Sequence, residues 1–180
     1  LLKQYLFLEE HKDIFLVGSH AEIIDRNGKK LGIKQTPVSH KKIYTSFFLY
    51  CNVIHPSIMF RNNFSNNFYK IKFPYFNEYY TFFKLMSQGK RFANIPEPLL
   101  LYRIHGNNDT FSHTREKFKS TLRIRAAFIF ECGYIPSILQ IGTTLLQSIA
   151  VFALPQRIMI ALYLLSKGVI SIDDIFPLPI

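Results

Sequence analysis

Four apolar residues in unbroken succession, Ile14-Phe15-Leu16-Val17, lead through Gly18-Ser19 into Ala21-Glu22-Ile23-Ile24-Asp25 and then meet Arg26-Asn27-Gly28. A short continuous apolar run of this length reads as a strand. Asn-Gly supplies the positive-φ positions that a tight turn demands. The pattern therefore predicts two extended segments, 14–19 and 21–25, closed by a hairpin-like turn. With 48% apolar residues over 180 positions, the chain has material for a core of ordinary size, and disorder is not expected.

Around this strand the spacing predicts further elements. Apolar positions 2, 5, 6 and 8 form a helical stripe over residues 1–11. Residues 29–42 are basic and loop-like, and residues 43–50 are a short buried helix or strand that periodicity does not assign. Pro56 predicts an extended His55, followed by a strand through Phe60 and an Asn-rich turn at 62–67. Residues 76–88 regain helical spacing and end at Gly89. Two strands, 92–95 and 99–105, are separated by Pro96-Glu97-Pro98, and the second places Arg103 and His105 on one face. From Arg115 to Cys132 a basic amphipathic helix runs to Gly133, followed by two apolar helices, 136–154 and 156–167, divided at Pro155.

Charge narrows the possible partners without choosing one. The formal net charge of +10 attracts anions: nucleic acid, acidic lipid, a phosphorylated substrate or a nucleotide diphosphate. Cys51 and Cys132 are isolated in apolar surroundings and form neither a metal-ligand pair nor a disulfide framework, which fits a reducing, cytosolic setting. Leu1 to Leu8 reads as a helix already under way rather than as a signal peptide, so the sequence is expected to begin within a domain.

Three segments stand in a characteristic order. They are Phe7-Leu8-Glu9-Glu10-His11-Lys12-Asp13-Ile14-Phe15-Leu16-Val17-Gly18-Ser19, then Ile54-His55-Pro56-Ser57-Ile58-Met59-Phe60-Arg61, then Asn77-Glu78 running on to the stretch from Gly89 through Phe92-Ala93-Asn94 and Pro96-Glu97-Pro98 to Tyr102-Arg103-Ile104-His105. Together they resemble the C-terminal half of bacterial family 2 glycosyltransferases, over roughly residues 1–112. The resemblance implies an α/β fold, with residues 1–112 as a partial GT-A domain; the apolar and basic spacing of 113–180 adds a helical, membrane-associated C-terminal tail. The nucleotide-binding half and its Asp-x-Asp motif would lie outside this chain; no Asp-x-Asp triplet occurs in it, and the fragment alone is expected to be inactive.

The activity so implied is an inverting transfer of a sugar from a nucleotide-sugar donor to a hydroxyl of a glycan or lipid-linked acceptor. A divalent cation, Mn²⁺ or Mg²⁺, would be held mainly by the missing Asp-x-Asp. Glu78 takes the place of the family's catalytic base, although that position usually holds Asp in a Glu-Asp pair and here follows Asn77. Arg103 and His105 fall where the diphosphate is gripped, with His105 also a metal ligand, and His55, Ser57 and Asn77 fall on the acceptor side. Simpler roles stand beside each of these: a carboxylate favoured by a helix dipole for Glu78, a surface ion pair for Arg103, a loop histidine for His105 and a strand-holding histidine for His55. Asp173-Asp174 reads as a solvated turn.

Between Tyr134 and Leu165 the one charged residue is Arg157, yet neither apolar piece reaches the ~20 residues that a membrane-crossing helix needs. Helices lying on the membrane are expected, with Arg115, Lys117, Lys119, Arg123 and Arg125 meeting anionic headgroups. This suits envelope polysaccharide or glycolipid synthesis at the inner face of the cell membrane, without nucleic acid as a partner. The competing reading is a non-catalytic basic module that binds membrane or nucleic acid; against the latter, most aromatics fall at core spacing.

Overall fold

The apolar run becomes a single strand, β1 (Ile14–Ile24), buried along its length except at half-buried Glu22. The computed structural model of the chain describes residues 1–62, 68–104, 113–155 and 158. Along one edge β1 pairs antiparallel with β2 (Lys30–Lys34) through residues 21–24 and with β3 (Met59–Phe60) through Leu16 and Val17. Its other edge carries the parallel strand β4 (Arg91–Arg103). A strand paired on both edges and covered on both faces has no use for polar alternation, and this is why its sequence is continuously apolar.

Helix α1 (Leu2–Glu10) lays Leu8 and Phe7 on one face, against Ile14, Val17, Ala93 and Ile95. The larger core lies opposite, where α2 (His40–Phe47), α3 (Asn77–Ser87) and α4 (Thr114–Cys132) pack an aromatic cluster onto Phe15, Leu16 and Phe92. Phe83 of α3 stacks on Phe128 of α4 at 3.8 Å between ring centroids, and Tyr79 meets Phe128 edge-on at 5.0 Å. Such aromatic pairs add about 0.5–1.5 kcal/mol each beyond their area burial. Gly89 and Gly133, with φ of 86° and 66°, end α3 and α4 as expected.

Several elements differ from the sequence reading. The stretch 29–42 is not a loop throughout: the Asn-Gly turn zips β2 onto β1, and α2 begins at His40. β2 was hard to see because it lies at the sheet's margin with Leu31 and Ile33 exposed. Ile43 and Phe47, spaced i,i+4 and fully buried, make the following segment a helix. His55 is not extended but opens a 3-10 turn, His55–Ser57, closed by Ser57 N–H to Ile54 O (2.8 Å); the extended residue is Ile54. β4 is one strand, not two, because Pro96 falls where the register with β1 shifts and no ladder N–H is required.

The chain does not change character structurally at residue 113. Ile124, Ala127 and Phe128 of α4 belong to the same core cluster as Phe47 and Phe83, and Lys117 and Arg125, expected on a solvated basic face, are buried. Arg125 donates to Leu49 O, Thr144 Oγ1 and Gln147 Oε1, with its guanidinium over the Phe48 ring. The last two acceptors belong to α5 (Ile138–Ala153), which a Ser137/Gln140 capping box starts. The second apolar helix and Asp173-Asp174 lie outside the described residues, as does most of the Asn-rich turn.

Gly18 of β1 stands opposite Asn94 of β4, whose side chain lies over it. A Cβ built there would stand 2.3 Å from Asn94 Oδ1 and 3.5 Å from Ser57 Oγ, inside a buried polar group. Gly18→Ala is therefore expected to destabilise the protein by about 2–3 kcal/mol, as overpacking of a closed core does. Gly32→Ala, with nothing within 4 Å of its Cβ, serves as the control and is expected to stay within about 0.5 kcal/mol. Urea unfolding followed by far-UV circular dichroism measures both.

Candidate functional site

Glu78 is the second residue of α3, and its position is built from the loop before it. Phe76, the residue capping α3, sits in the left-handed region (φ 61°, ψ 41°), a conformation that costs a bulky side chain on the order of 1–2 kcal/mol. Asn77 holds the bend: its Oδ1 accepts from Lys72 N–H (2.7 Å) and Phe73 N–H (2.9 Å), and its Nδ2 donates to Phe73 O (2.7 Å). The Asn77 amide is thus engaged with backbone and fixes the direction in which the next side chain leaves the helix. At this place the helix dipole favours a carboxylate. Glu78 is half-buried, and among the described residues its carboxylate makes no hydrogen bond or ion pair.

Two groups feel the charge of that carboxylate, Tyr69 and Cys51, and a third, His55, touches Tyr69. Burial first, then the Glu78 charge, push the Tyr69 phenol upward. Burial pushes the Cys51 thiol up to about 12, with Glu78 adding to the rise and Lys34 opposing it. Cys51 is accordingly a neutral thiol and no nucleophile. Tyr69 Oη lies 2.6 Å from His55 Nε2, with the two rings edge-to-face at 5.6 Å. Tyr69 therefore joins His55 by a direct contact and Glu78 by the reach of its charge. Cys51 also lines a cavity of about 200 Å³ with Lys34, Thr36, Tyr50 and Asn52, which adjoins a cleft of about 500 Å³ reaching Lys42, Thr45 and Ser46.

The other candidate residues go elsewhere. Ser57 is buried; its Oγ accepts from Ser19 N–H (3.2 Å) and donates to Ile54 O (2.8 Å), so it serves the sheet. Arg103 Nη1 donates to Asp25 O and Arg26 O (both 2.9 Å) and clamps the β1–β2 turn. His105 lies outside the described residues. Among the described residues no three His, Cys, Asp or Glu side chains gather to hold a metal ion. Tyr69 carried no signal in the sequence, because it follows an Asn-rich turn with no periodicity of its own.

One side of the cleft is the segment 34–40, and two histidines pin it. His20 Nδ1 accepts from Thr36 N–H (3.2 Å) and lies 3.1 Å from Thr36 Oγ1; His40 Nδ1 accepts from Phe92 N–H (3.2 Å). Both contacts require an unprotonated nitrogen. Burial lowers the affinity of His20 for a proton, and burial together with neighbouring Arg91, itself paired with Asp13, does the same at His40. The unfolded chain, with histidines near pH 6.5, then takes up protons before the folded one. Stability is expected to be fully present above about pH 6.5 and to decline as pH falls below it. Thermal unfolding between pH 7.5 and 5.5 measures this, and His20→Gln with His40→Gln, which keep an acceptor but cannot titrate, should flatten the dependence.

No family model and no curated protein matches this chain, so the chemistry of these side chains has to carry the functional reading.

Proposed function

We propose that the chain is the acceptor-side part of an inverting, nucleotide-sugar-dependent glycosyltransferase, with Glu78 as the general base. The observation that carries this is the Glu78 carboxylate itself. It is half-buried and unpaired among the described residues, set on a rigid helix start by Asn77 and the strained Phe76, and placed beside the Tyr69–His55 pair. A base has to keep its lone pairs for the substrate, whereas a purely structural carboxylate at this place would cap the helix or pair with one of the chain's many cations. The order of the three segments, and the +10 charge available to a diphosphate, support the same reading.

In the proposed reaction the acceptor hydroxyl gives its proton to Glu78 as its oxygen attacks the anomeric carbon. The bond from that carbon to the nucleoside diphosphate breaks with inversion, and the diphosphate leaves with the bonding electron pair. Tyr69 and His55 hold the acceptor side of Glu78, and Lys34, with its ammonium 5.3 Å from the Tyr102 ring centroid, adds positive potential near Cys51. The competing nucleic-acid reading has little support, because Phe47, Phe82, Phe83, Phe92 and Phe128 are fully buried and present no stacking platform.

The test is transfer by the enzyme joined to the donor-binding half that the resemblance implies, with UDP- and GDP-sugars and Mn²⁺, comparing wild type with Glu78→Gln. Turnover is expected to fall about 10²–10⁴-fold with donor binding retained. Because Gln has nearly the same size and Glu78 makes no hydrogen bond or ion pair among the described residues, unfolding should shift by no more than about 0.5 kcal/mol. Unchanged turnover would make Glu78 a helix-start carboxylate and remove the reading's base.

A further inference from the structure

Helix α5 is mounted with its sides reversed. Its polar residues Gln140, Thr144 and Gln147, at i, i+4 and i+7, face the protein: Gln140 Nε2 donates to Thr45 O (2.8 Å), and Thr144 and Gln147 both accept from buried Arg125 (3.1 and 2.9 Å). Its apolar residues face outward, with Ile138 90%, Leu139 80%, Leu146 69% and Ile149 65% exposed, and none of its side chains is buried. The helix contains no charged residue. A surface helix of a soluble domain places these two sides the other way round.

What lies beside that face identifies what covers it. On α4, Arg115, Lys119 and Arg123 are exposed at i, i+4 and i+8, with Glu116 the one carboxylate in that stretch, and none of the three is paired among the described residues. Phe118, which borders that stripe, meets Phe152 of α5 edge-on at 6.1 Å, so α5 packs on the helix that carries the basic residues. Phe130, 86% exposed, continues the stripe one heptad beyond Arg123. A second copy docked here about a two-fold axis would bring two such basic stripes together. An anionic bilayer takes the apolar residues and the cations at once. At 16 residues α5 spans about 24 Å, and no described helix is long and apolar enough to cross a membrane.

We propose that α5, together with Arg115, Lys119 and Arg123 of neighbouring α4, docks the protein on an anionic lipid surface, lying in the interfacial plane with its apolar side down. This rests on α4 and α5 alone and is independent of the transfer reaction.

The chain holds no tryptophan, so Leu146→Trp is a single fluorescent reporter. With the full 180-residue chain, vesicles of phosphatidylcholine and phosphatidylglycerol are expected to shift the emission to the blue and to carry the protein on flotation, whereas pure phosphatidylcholine binds it far less. Arg115→Gln, Lys119→Gln and Arg123→Gln together should weaken binding about a hundredfold, roughly fivefold per charge. Leu139→Asp should abolish it while circular dichroism stays that of the wild type. Glu78→Gln should bind as the wild type does, which separates this proposal from the catalytic one. No blue shift with anionic vesicles, equal binding to neutral ones, or a lipid-independent shift that follows protein concentration, the mark of a second copy, would overturn it.

Discussion

The wall of the cleft depends on one contact, the Asn94 side chain of β4 laid over Gly18 of β1. Asn94 fills the space a side chain there would need, and from that buried position it reaches in three directions. Its Nδ2 donates to Pro37 O (2.7 Å), its backbone N–H donates to Val38 O (3.0 Å), and its Oδ1 lies over Gly18 with no hydrogen-bond partner among the described residues. The segment 34–40 is therefore registered to the sheet by one side chain, and the histidines at 20 and 40 fasten its ends. Because that segment carries Lys34, Gln35, Thr36 and Pro37 to the cavity wall, the shape of the cavity follows from a packing contact well beneath it.

The conspicuous residues of the three ordered segments divide accordingly. Gly18, Ser57 and Asn94 meet in one buried polar group that fixes the sheet, Asn77 fixes a loop, and Arg103 fixes a hairpin. Glu78 and His55 remain for chemistry, supported by Tyr69. A motif in this chain is thus mostly scaffold, with a small reactive remainder whose placement the scaffold determines. A polar residue inside an apolar strand, such as Asn94, signals an interior hydrogen bond as readily as a ligand contact.

Much of the fold was legible because it obeys one-dimensional rules. The apolar run of β1, the Asn-Gly turn, the aromatic spacing of α3 and the glycine stops of α3 and α4 each depend on neighbours in sequence. What was not legible depends on neighbours in space. Lys30–Lys34 becomes a strand only because β1 offers it an edge, and His55 takes a 3-10 turn because Ser57 is drawn under Ser19. Lys117 and Arg125 read as surface cations, yet Arg125 is buried by its bonds to Leu49, Thr144 and Gln147. Composition marks α5 as apolar but cannot say which side faces inward; Arg125 decides that. At the site, Glu78 was visible from its place in an ordered set of segments, whereas Tyr69 and the two histidines that pin the 34–40 segment were not.

Consider the outer edge of β4. Phe92 and Asn94 direct their N–H groups away from β1, and these are taken by His40 and Val38; the next two even positions, Pro96 and Pro98, have no N–H to offer. From 92 to 98 that row of alternate positions is left without a free donor. An incoming extended peptide would find acceptors there but no matching donors, so it could not form a continuous ladder. Over that stretch the same prolines that made this strand hard to recognise also guard its edge against self-association.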